Sequence, residues 1–549
     1  MAATIYAGFV RPGAFVRGRP GVSRQKGGTM SDRRIDRRRA LAGGAGLTAA
    51  LAAGWRATTA QEATPVAPPA GGSVADKVAA IDAFAEAALE EYGVPGAAVA
   101  LVVDGKIVLA RGYGVRTEGQ PEPVDADTVF QLASVTKTLT AAALGTVVDA
   151  GQLGWDDPVV EFVPNFALAD PYPTRWTTTR DLLAHRTGLP AFTGDVIGVL
   201  GYDRAEVMRR VRFFTPAWSF REEDGYSNIG YFVAGQVLAE KTGMPWEDAL
   251  AERILGPVGM TRSAPNLHGA PADGNISANH ALVDGAVAVV PPDPNFVLGA
   301  GGSAISTAHD LGRFMEMLLG GGAIDGRPVL TPGTVAEMFA PSMVAAPSFT
   351  ELPPIDDQSG FAYGLGWGLY HDRGYQVMEK GGALAGIRSI VELVPELNLG
   401  VAVVANMNVT VLPEAIRAFV LEQFIGQTDP DVQETIRQAG AGILGMFQAP
   451  TPPADAGPPS RPLDAYAGTY ANDLYGQVEI VRDGDGFRLE AGPARYAIRL
   501  TPFAFDTFLL DQGTATTVPL PATFTIGPDG TAVALETNLF GRLDRVEAS

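Results

Sequence analysis

Two stretches that read as β-hairpins stand at opposite ends of one long segment. "GAAVALVVDGKIVLARGYG" (Gly96 to Gly114) is two β-rich runs around the turn Asp104-Gly105. "IRSIVELVPELNLGVAVVANM" (Ile387 to Met407) is again two strands around a turn. Between them the pattern is largely helical, with long loops from about residue 155 to 340. A lone hairpin is marginally stable in water, so each pair must find further strands or a helix to pack on. The arrangement predicts an α/β (α+β) fold: one antiparallel sheet flanked by helices, completed late, with a helical subdomain inserted. Helices are expected over Val74 to Tyr92, ended by "GVPG", and over Pro413 to Ile425. A third is expected over Ser134 to Ala150, where Val135, Leu139, Ala143 and Val147 recur at four-residue steps before Gly151.

The chain has 549 residues, 46% of them hydrophobic, which is too long for one ordinary domain. The clearest boundary is "APTPPADAGPPSRP", Ala449 to Pro462. A helix starting at Asp429-Pro430 leads into it, with Pro at the first helical position. Beyond it, short β-like runs alternate with turns such as "DGDG" and "GPDG", so Leu463 to Ser549 reads as a small all-β domain. The expected organisation is an export signal over 1–60, a Pro/Ala linker over 61–73, a principal domain over 74–428, a helix and Pro-rich linker over 429–462, and the β domain over 463–549.

Composition removes several chemistries. There is no cysteine, which excludes disulfides, thiolate metal sites and a cysteine nucleophile. The five histidines, His185, His268, His280, His309 and His371, form no HExxH-type pair, so no metal site is expected. Residues 1–60 carry 11 Lys/Arg and 2 Asp/Glu, and the remainder holds 30 basic and 59 acidic residues, a net −29. A body so acidic repels nucleic acid and anionic membrane surfaces, and neither is expected as a partner. The basic N-terminus reads as an address. From Met30, "MSDRRIDRRRALAGGAGLTAALAAGWRATTAQEA" has a twin-arginine pair, Arg37 and Arg38, a weakly apolar run and a small-residue cleavage site after Ala60. The apolar run is shorter than the ~20 residues a bilayer needs, so no stable membrane anchor is expected. The expectation is an exported protein that begins near Gln61.

Three short boxes carry the chemistry. In "VFQLASVTKTLTAAAL", Ser134 and Lys137 lie three apart and share one helix face. A serine needs its proton removed before it attacks a carbonyl, and a lysine desolvated by apolar neighbours loses its charge and acts as a base. In "DGYSNIGYFVAGQVL", Tyr226 supplies a phenol able to shuttle a proton, and Asn228 an amide able to hold Lys137 and a substrate carbonyl. In "MEKGGALAGIRSIVELV", Lys380 adds a positive charge before two glycines that let a substrate approach a strand edge. Taken singly, each box has a plain structural explanation: a helix cap with a snorkelling lysine, an Asn cap beside a core tyrosine, a Gly-rich turn with a surface lysine.

Taken together, their order and separation resemble the serine β-lactamase/penicillin-binding-protein superfamily. The resemblance is greatest to its class C branch, which includes D-stereospecific peptidases and esterases. The boxes read Ser134-Val-Thr-Lys137, Tyr226-Ser-Asn228 and Lys380-Gly-Gly382. "TTRDLLAHRTGLP", "ILGPVGMTRSA", "GAGGSAISTAHDLGRFM" and "YGLGWGL" look similar to the same family, and the resemblance covers roughly residues 75–425. The last unit resembles the small lipocalin-like domains appended to such hydrolases.

The resemblance implies a serine hydrolase that forms an acyl-enzyme on Ser134, with Lys137 and Tyr226 taking the proton. By the same carry-over, the N–H groups of Ser134 and Ala383 form the oxyanion hole beside Gly382. Asn228 and Lys380 position the pair and hold the tyrosine's pKa low. The substrate is a small molecule or peptide (a D-amino-acid peptide, a small ester or a β-lactam), and no cofactor is implied. One departure stands out. Gly381 replaces the family's frequent Thr or Ser, removing a hydroxyl that would bind a substrate carboxylate. Arg388 is then either a substitute carboxylate ligand or a strand-surface residue. His185 is expected to be structural.

Overall fold

The computed structural model describes residues 71–283, 285–293, 297–345, 360–426, 431–446, 450–512 and 519–546. The expected export signal, most of the following linker and the Asp429-Pro430 helix start lie outside the described residues.

Among the described residues the main sheet has eight strands: β1 (Gly96–Val103), β2 (Lys106–Gly114), β3 (Met343–Val344), β4 (Ala362–Tyr363), β5 (Gly368–Asp372), β6 (Tyr375–Leu384), β7 (Ile387–Val394) and β8 (Leu399–Ala405). Their order across the sheet is β2-β1-β8-β7-β6-β5-β4-β3. The late hairpin β7–β8 docks on the early one, with β8 antiparallel to β1 from Ala97↔Ala405 to Val103↔Leu399. This is the single antiparallel sheet, completed late, that the two hairpin patterns suggest.

Both faces of the central strands are covered, so they read as apolar runs rather than alternating ones. The residues still sort by the two-residue period of a strand. Ala98, Ala100, Val102, Val391, Ala402 and Val404 face the core under the helical region. Ala97, Val99, Leu101, Ile390, Val401 and Val403 face the opposite core.

Helix α1 (Val74–Tyr92) starts at a capping box made by Ser73 and Asp76 and stops at Gly93, whose φ of 63° suits glycine. It lays Ile81, Ala85, Ala88 and Leu89 on that second core. Helix α2 (Thr136–Asp149) is buried along most of its length, as its apolar sequence demands. It begins later than the helical pattern suggests: Ala133–Val135 form a tighter 3-10 turn first. Ala133 has φ 49°, a left-handed conformation that a non-glycine adopts at a cost of ~1–3 kcal/mol. That bend takes Ser134 out of the regular helix. Helix α3 (Asn228–Thr242) follows the second box, capped by Ser227, whose hydroxyl accepts from the Gly230 N–H at 3.0 Å. Helix α4 (Ala308–Leu319) lies on the inner face, α5 (Leu412–Ile425) packs beside α1, and α6 (Val432–Met446) rests on Val409 and Val411.

The C-terminal part is a closed barrel of eight strands, β9 (Gly468–Asn472), β10 (Gly476–Asp483), β11 (Gly486–Ala491), β12 (Tyr496–Ala504), β13 (Thr507–Asp511), β14 (Leu520–Ile526), β15 (Ala532–Thr537) and β16 (Gly541–Val546). Inward residues alternate with outward ones, and Tyr466, Phe487, Phe508 and Phe524 fill the interior with edge-on ring contacts. The Pro-rich stretch before it is pinned to the barrel. The Phe505 N–H donates to the Gly457 carbonyl at 2.8 Å, and the Ser460 N–H to Asp506 at 3.0 Å. The barrel also docks on the principal domain. The Tyr202 hydroxyl donates to the Tyr475 carbonyl at 2.9 Å, Arg210 donates to the Leu474 carbonyl at 2.8 Å, and Val196 and Leu200 join the barrel's apolar cluster.

Candidate active site

The tight turn at the head of α2 carries Ser134, and the first turn of the helix brings Lys137 back over it. Lys137 Nζ donates to Ser134 Oγ at 3.1 Å. It also donates to Asn228 Oδ1 at 2.6 Å and to the Gly301 carbonyl at 2.6 Å. Lys137 is fully buried. An ammonium has three N–H donors, and here each has an oxygen acceptor, which offsets the cost of burying the charge. With a neutral amine, two N–H groups still reach Asn228 Oδ1 and the Gly301 carbonyl while the Ser134 hydroxyl donates to the nitrogen lone pair, so the same geometry suits either form.

The Gly301 carbonyl reaches Lys137 because its loop is tied to α2. Thr140 Oγ1 donates to the Ala300 carbonyl at 2.8 Å, and the Ala304 N–H donates to Thr136 Oγ1 at 3.0 Å. A side chain at Gly301 would sit 3.3 Å from Asn228 Oδ1 and crowd the same space. Asn228 is held from behind: its Nδ2 donates to Asp195 Oδ2 at 2.7 Å, which turns its carbonyl oxygen toward Lys137. Asp195 is buried, and that burial, opposed by the Asn228 bond and by Lys137, pushes its carboxyl up to about 7.

Tyr226 lies between two lysines. Lys137 Nζ is 4.8 Å from its ring centre and Lys380 Nζ is 4.9 Å. Both contacts are within cation–π range. Lys380 is fully buried and also lies over Tyr363, at 5.3 Å. His185 packs against Tyr226 and Tyr363, with ring centres 4.4 and 4.6 Å away. Its Nδ1 accepts the Ser227 N–H at 3.0 Å, so the ring proton belongs on Nε2. Burial, and then the charges of Lys137 and Lys380, hold the His185 pKa well below the usual imidazole range.

The third box is the end of β6. Strand β5 pairs with β6 only as far as Glu379, so Lys380 to Leu384 extend beyond it along one edge. The serine turn lies against this extension. A side chain at Gly382 would collide with the Leu132 carbonyl and Ser389 Oγ and would stand 3.0 Å from the Ser134 backbone nitrogen. Ala383, next along, is buried and stands opposite Arg388 on β7.

The structure thus gathers Ser134, Lys137, Tyr226, Asn228, Lys380 and Gly382 around one point, with Ala383 adjacent on β6. It changes the reading of Arg388. That side chain is neither at the surface nor free for a substrate: it is 2% exposed, ion-paired with the buried Glu414, and donates to the Gly382 carbonyl at 3.3 Å. Sequence reasoning missed Asp195, Gly301 and the ring contact of Tyr363 with Lys380. "AFTGDV" signals only a turn around Asp195, and a backbone carbonyl such as that of Gly301 has no sequence signature. Among the described residues no cluster of His, Asp and Glu has metal-site geometry.

A sheet completed by both chain ends, a helical region on one side and a serine–lysine pair at the head of a buried helix define a β-lactamase/transpeptidase-like protein. The chain belongs to the beta-lactamase family, whose model matches residues 81–423, and it is a hydrolase of that kind. A second model, a domain of unknown function (DUF3471), matches residues 452–545. The chain is 29% identical to an unguisins hydrolase of Aspergillus campestris, over 81% of this chain and 86% of the relative. It is 30% identical to penicillin-binding protein 4 of Amycolatopsis lactamdurans, over 70% of this chain and 94% of that protein. Its fold matches the octameric penicillin-binding protein homologue of Pyrococcus abyssi with a TM-score of 0.57 and 23% identity, over 85% and 99% of the two chains. A class C beta-lactamase of Rhodobacter sphaeroides matches with a TM-score of 0.52 and 22% identity, over 62% and 98%.

Proposed function

We propose that this protein is an exported serine hydrolase that forms an acyl-enzyme on Ser134 and cleaves an amide or ester. The observation that carries this reading is the 3.1 Å bond from Lys137 Nζ to Ser134 Oγ, made by a lysine whose other two bonds hold it in place. Ser134 Oγ attacks the substrate carbonyl. Lys137 Nζ, anchored by Asn228 Oδ1 and the Gly301 carbonyl, orients the hydroxyl. Tyr226 takes the proton, with the Nζ atoms of Lys137 and Lys380 4.8 and 4.9 Å from its ring centre. The developing oxyanion is met by the N–H groups of Ser134 and Ala383, each such donor contributing about 2.7–4 kcal/mol in hydrolases of this design. Tyr226 then passes the proton to the leaving group, and water hydrolyses the ester on Ser134.

Two features bear on the substrate, which is a small molecule or peptide: a D-amino-acid peptide, a small ester or a β-lactam. Gly381 offers no hydroxyl, and Arg388 is committed to Glu414. Neither can bind a substrate carboxylate, so uncharged amides and esters are favoured over β-lactams.

Mass spectrometry of the intact protein after exposure to p-nitrophenyl esters, D-Ala-D-Ala peptides and β-lactams tests the reading. An adduct on Ser134 that turns over is expected. No adduct with any member of the panel would instead make the protein a catalytically silent binder on the same scaffold. Export rests on the twin-arginine stretch alone. N-terminal sequencing of secreted material should begin near Gln61, and an intact Met1 or Met30 on a cytoplasmic protein would refute it.

A further inference from the structure

The Gly382 carbonyl and the Ala383 N–H belong to one peptide group. Arg388, opposite Ala383 on β7, donates from Nη1 to that carbonyl at 3.3 Å. A trans peptide points its carbonyl and its N–H in opposite directions, so the Ala383 N–H points away from the guanidinium. Strand β7 flanks β6 on one side, and on the other the pairing with β5 ends at Glu379. With the carbonyl turned to a β7 residue, the N–H is turned to that open edge.

The serine turn is held by the same part of β7. The Ser134 nitrogen stands 3.0 Å from where a Gly382 side chain would begin, and Ala133 packs on Leu384 and Ile387. Ser389, next to Arg388, donates from Oγ to the Leu132 carbonyl at 2.7 Å. Two adjacent residues of β7 thus hold the two assigned oxyanion donors: Ser389 through the serine turn, Arg388 through the Gly382–Ala383 peptide.

The guanidinium is fixed from behind. Arg388 is 2% exposed and ion-paired with Glu414, which is fully buried in the first turn of α5. A carboxylate at that end of a helix is favoured by the helix dipole. The planar fork of an arginine can serve a carboxylate and a second acceptor at once. A cation bonded to a peptide oxygen polarises the whole peptide and makes the N–H at its other end a stronger donor.

We infer that Arg388 is a positioning residue for acyl transfer: without touching substrate, it orients and polarises the Gly382–Ala383 peptide so that the Ala383 N–H meets the developing oxyanion. The inference rests on the acyl-enzyme reading above. It gives the buried Arg388–Glu414 pair a part in the reaction beyond holding the fold.

The test compares the purified full chain with two variants. Arg388→Met combined with Glu414→Leu removes both charges and strands neither, a replacement that is often neutral in stability. Arg388→Lys keeps a cation for Glu414 but not the fork that reaches a second acceptor. Hydrolysis of p-nitrophenyl acetate gives kcat and KM. Difference infrared spectra of protein acylated by p-nitrophenyl cinnamate, isotope-labelled at its carbonyl, read hydrogen bonding to the acyl oxygen. The double variant should lose at least about tenfold in kcat, short of the ~10²–10³ that loss of a whole donor costs, with KM little changed. Its acyl carbonyl band should move to higher frequency, and Arg388→Lys should move the band the same way. An ion pair that only holds the fold would leave the band in place in both variants. The parent's band in the folded double variant, or in Arg388→Lys where that alone folds, would overturn the role of Arg388, as would a loss lying wholly in KM. Failure of the parent to acylate Ser134 with either ester would remove the hydrolase reading itself and this inference with it.

Discussion

Asn228 presents its Oδ1 to Lys137 Nζ at 2.6 Å while its Nδ2 is held by Asp195 at 2.7 Å. The amide is thus fixed in one orientation by a residue 33 positions earlier, at the start of a 3-10 turn. Replacing Asn228 by Ala leaves the buried Lys137 nitrogen and the buried Asp195 carboxyl each short of a partner. A loss of about 1–3 kcal/mol in stability is expected, together with a fall in kcat of more than tenfold. Denaturant unfolding and steady-state kinetics on the same preparation check both.

Tyr226 is expected to carry the proton. Tyr226→Phe keeps the ring between the two lysines and removes only the hydroxyl, so kcat should fall by ~10²–10⁴ with the melting temperature little changed. A change below about twofold would reduce Tyr226 to packing.

The close approach of β6 to the serine turn depends on Gly382 having no side chain. Gly382→Ala forces a methyl against the Leu132 carbonyl and Ser389 Oγ. Overpacking of this kind costs about 1–3 kcal/mol. Because the same methyl stands 3.0 Å from the Ser134 nitrogen, acylation should slow more than the stability loss explains. Stopped-flow acylation beside thermal unfolding separates the two effects.

His185 sets a pH dependence of stability. Its folded pKa lies well below 6.5, because it is buried beside two ammonium groups. Above pH 6.5 both folded and unfolded forms are neutral at this residue, and its full contribution is present. As pH falls below 6.5 the unfolded chain takes up the proton and the folded one does not, so stability drops by up to about 1.4 kcal/mol per pH unit. His185→Gln should flatten this part of the curve, and melting temperatures between pH 8 and 5 for both forms test it.

Behind Lys380 lies a buried charge cluster. Arg417 pairs with both Glu379 and Glu392, and the Tyr370 hydroxyl donates to Glu392 at 2.7 Å. Arg417→Met leaves two buried carboxylates unpaired. A loss of about 3–5 kcal/mol is expected, read as a lower denaturation midpoint.

Much of the site was legible because its parts are local patterns. Ser134 and Lys137 sit at helix spacing, Tyr226 and Asn228 stand just before an apolar helix, and Lys380 opens a glycine-rich strand end. The hairpins at Asp104-Gly105 and before Leu399 read directly from β-rich runs and turn residues. The start of α2 did not, because the left-handed Ala133 is imposed by the packing of the serine turn against β6 and not by alanine's own preference. Arg388 was equally unreadable, since a charged residue on a strand shows nothing of the Glu414 that waits on a later helix.

What the amino-acid order indicated by itself was a candidate set of reactive groups and the class of fold. The fold class follows from short-range periodicity and turn chemistry, and the candidate groups from the resemblance of the three boxes, taken together, to a known family. Tertiary structure alone decided that Asp195 and the Gly301 carbonyl hold the amide and the lysine, and that the barrel comes to rest beside Asp195. Those contacts join segments more than 30 residues apart, where the partner is chosen by the shape and charge of a pocket that exists only once the core has closed.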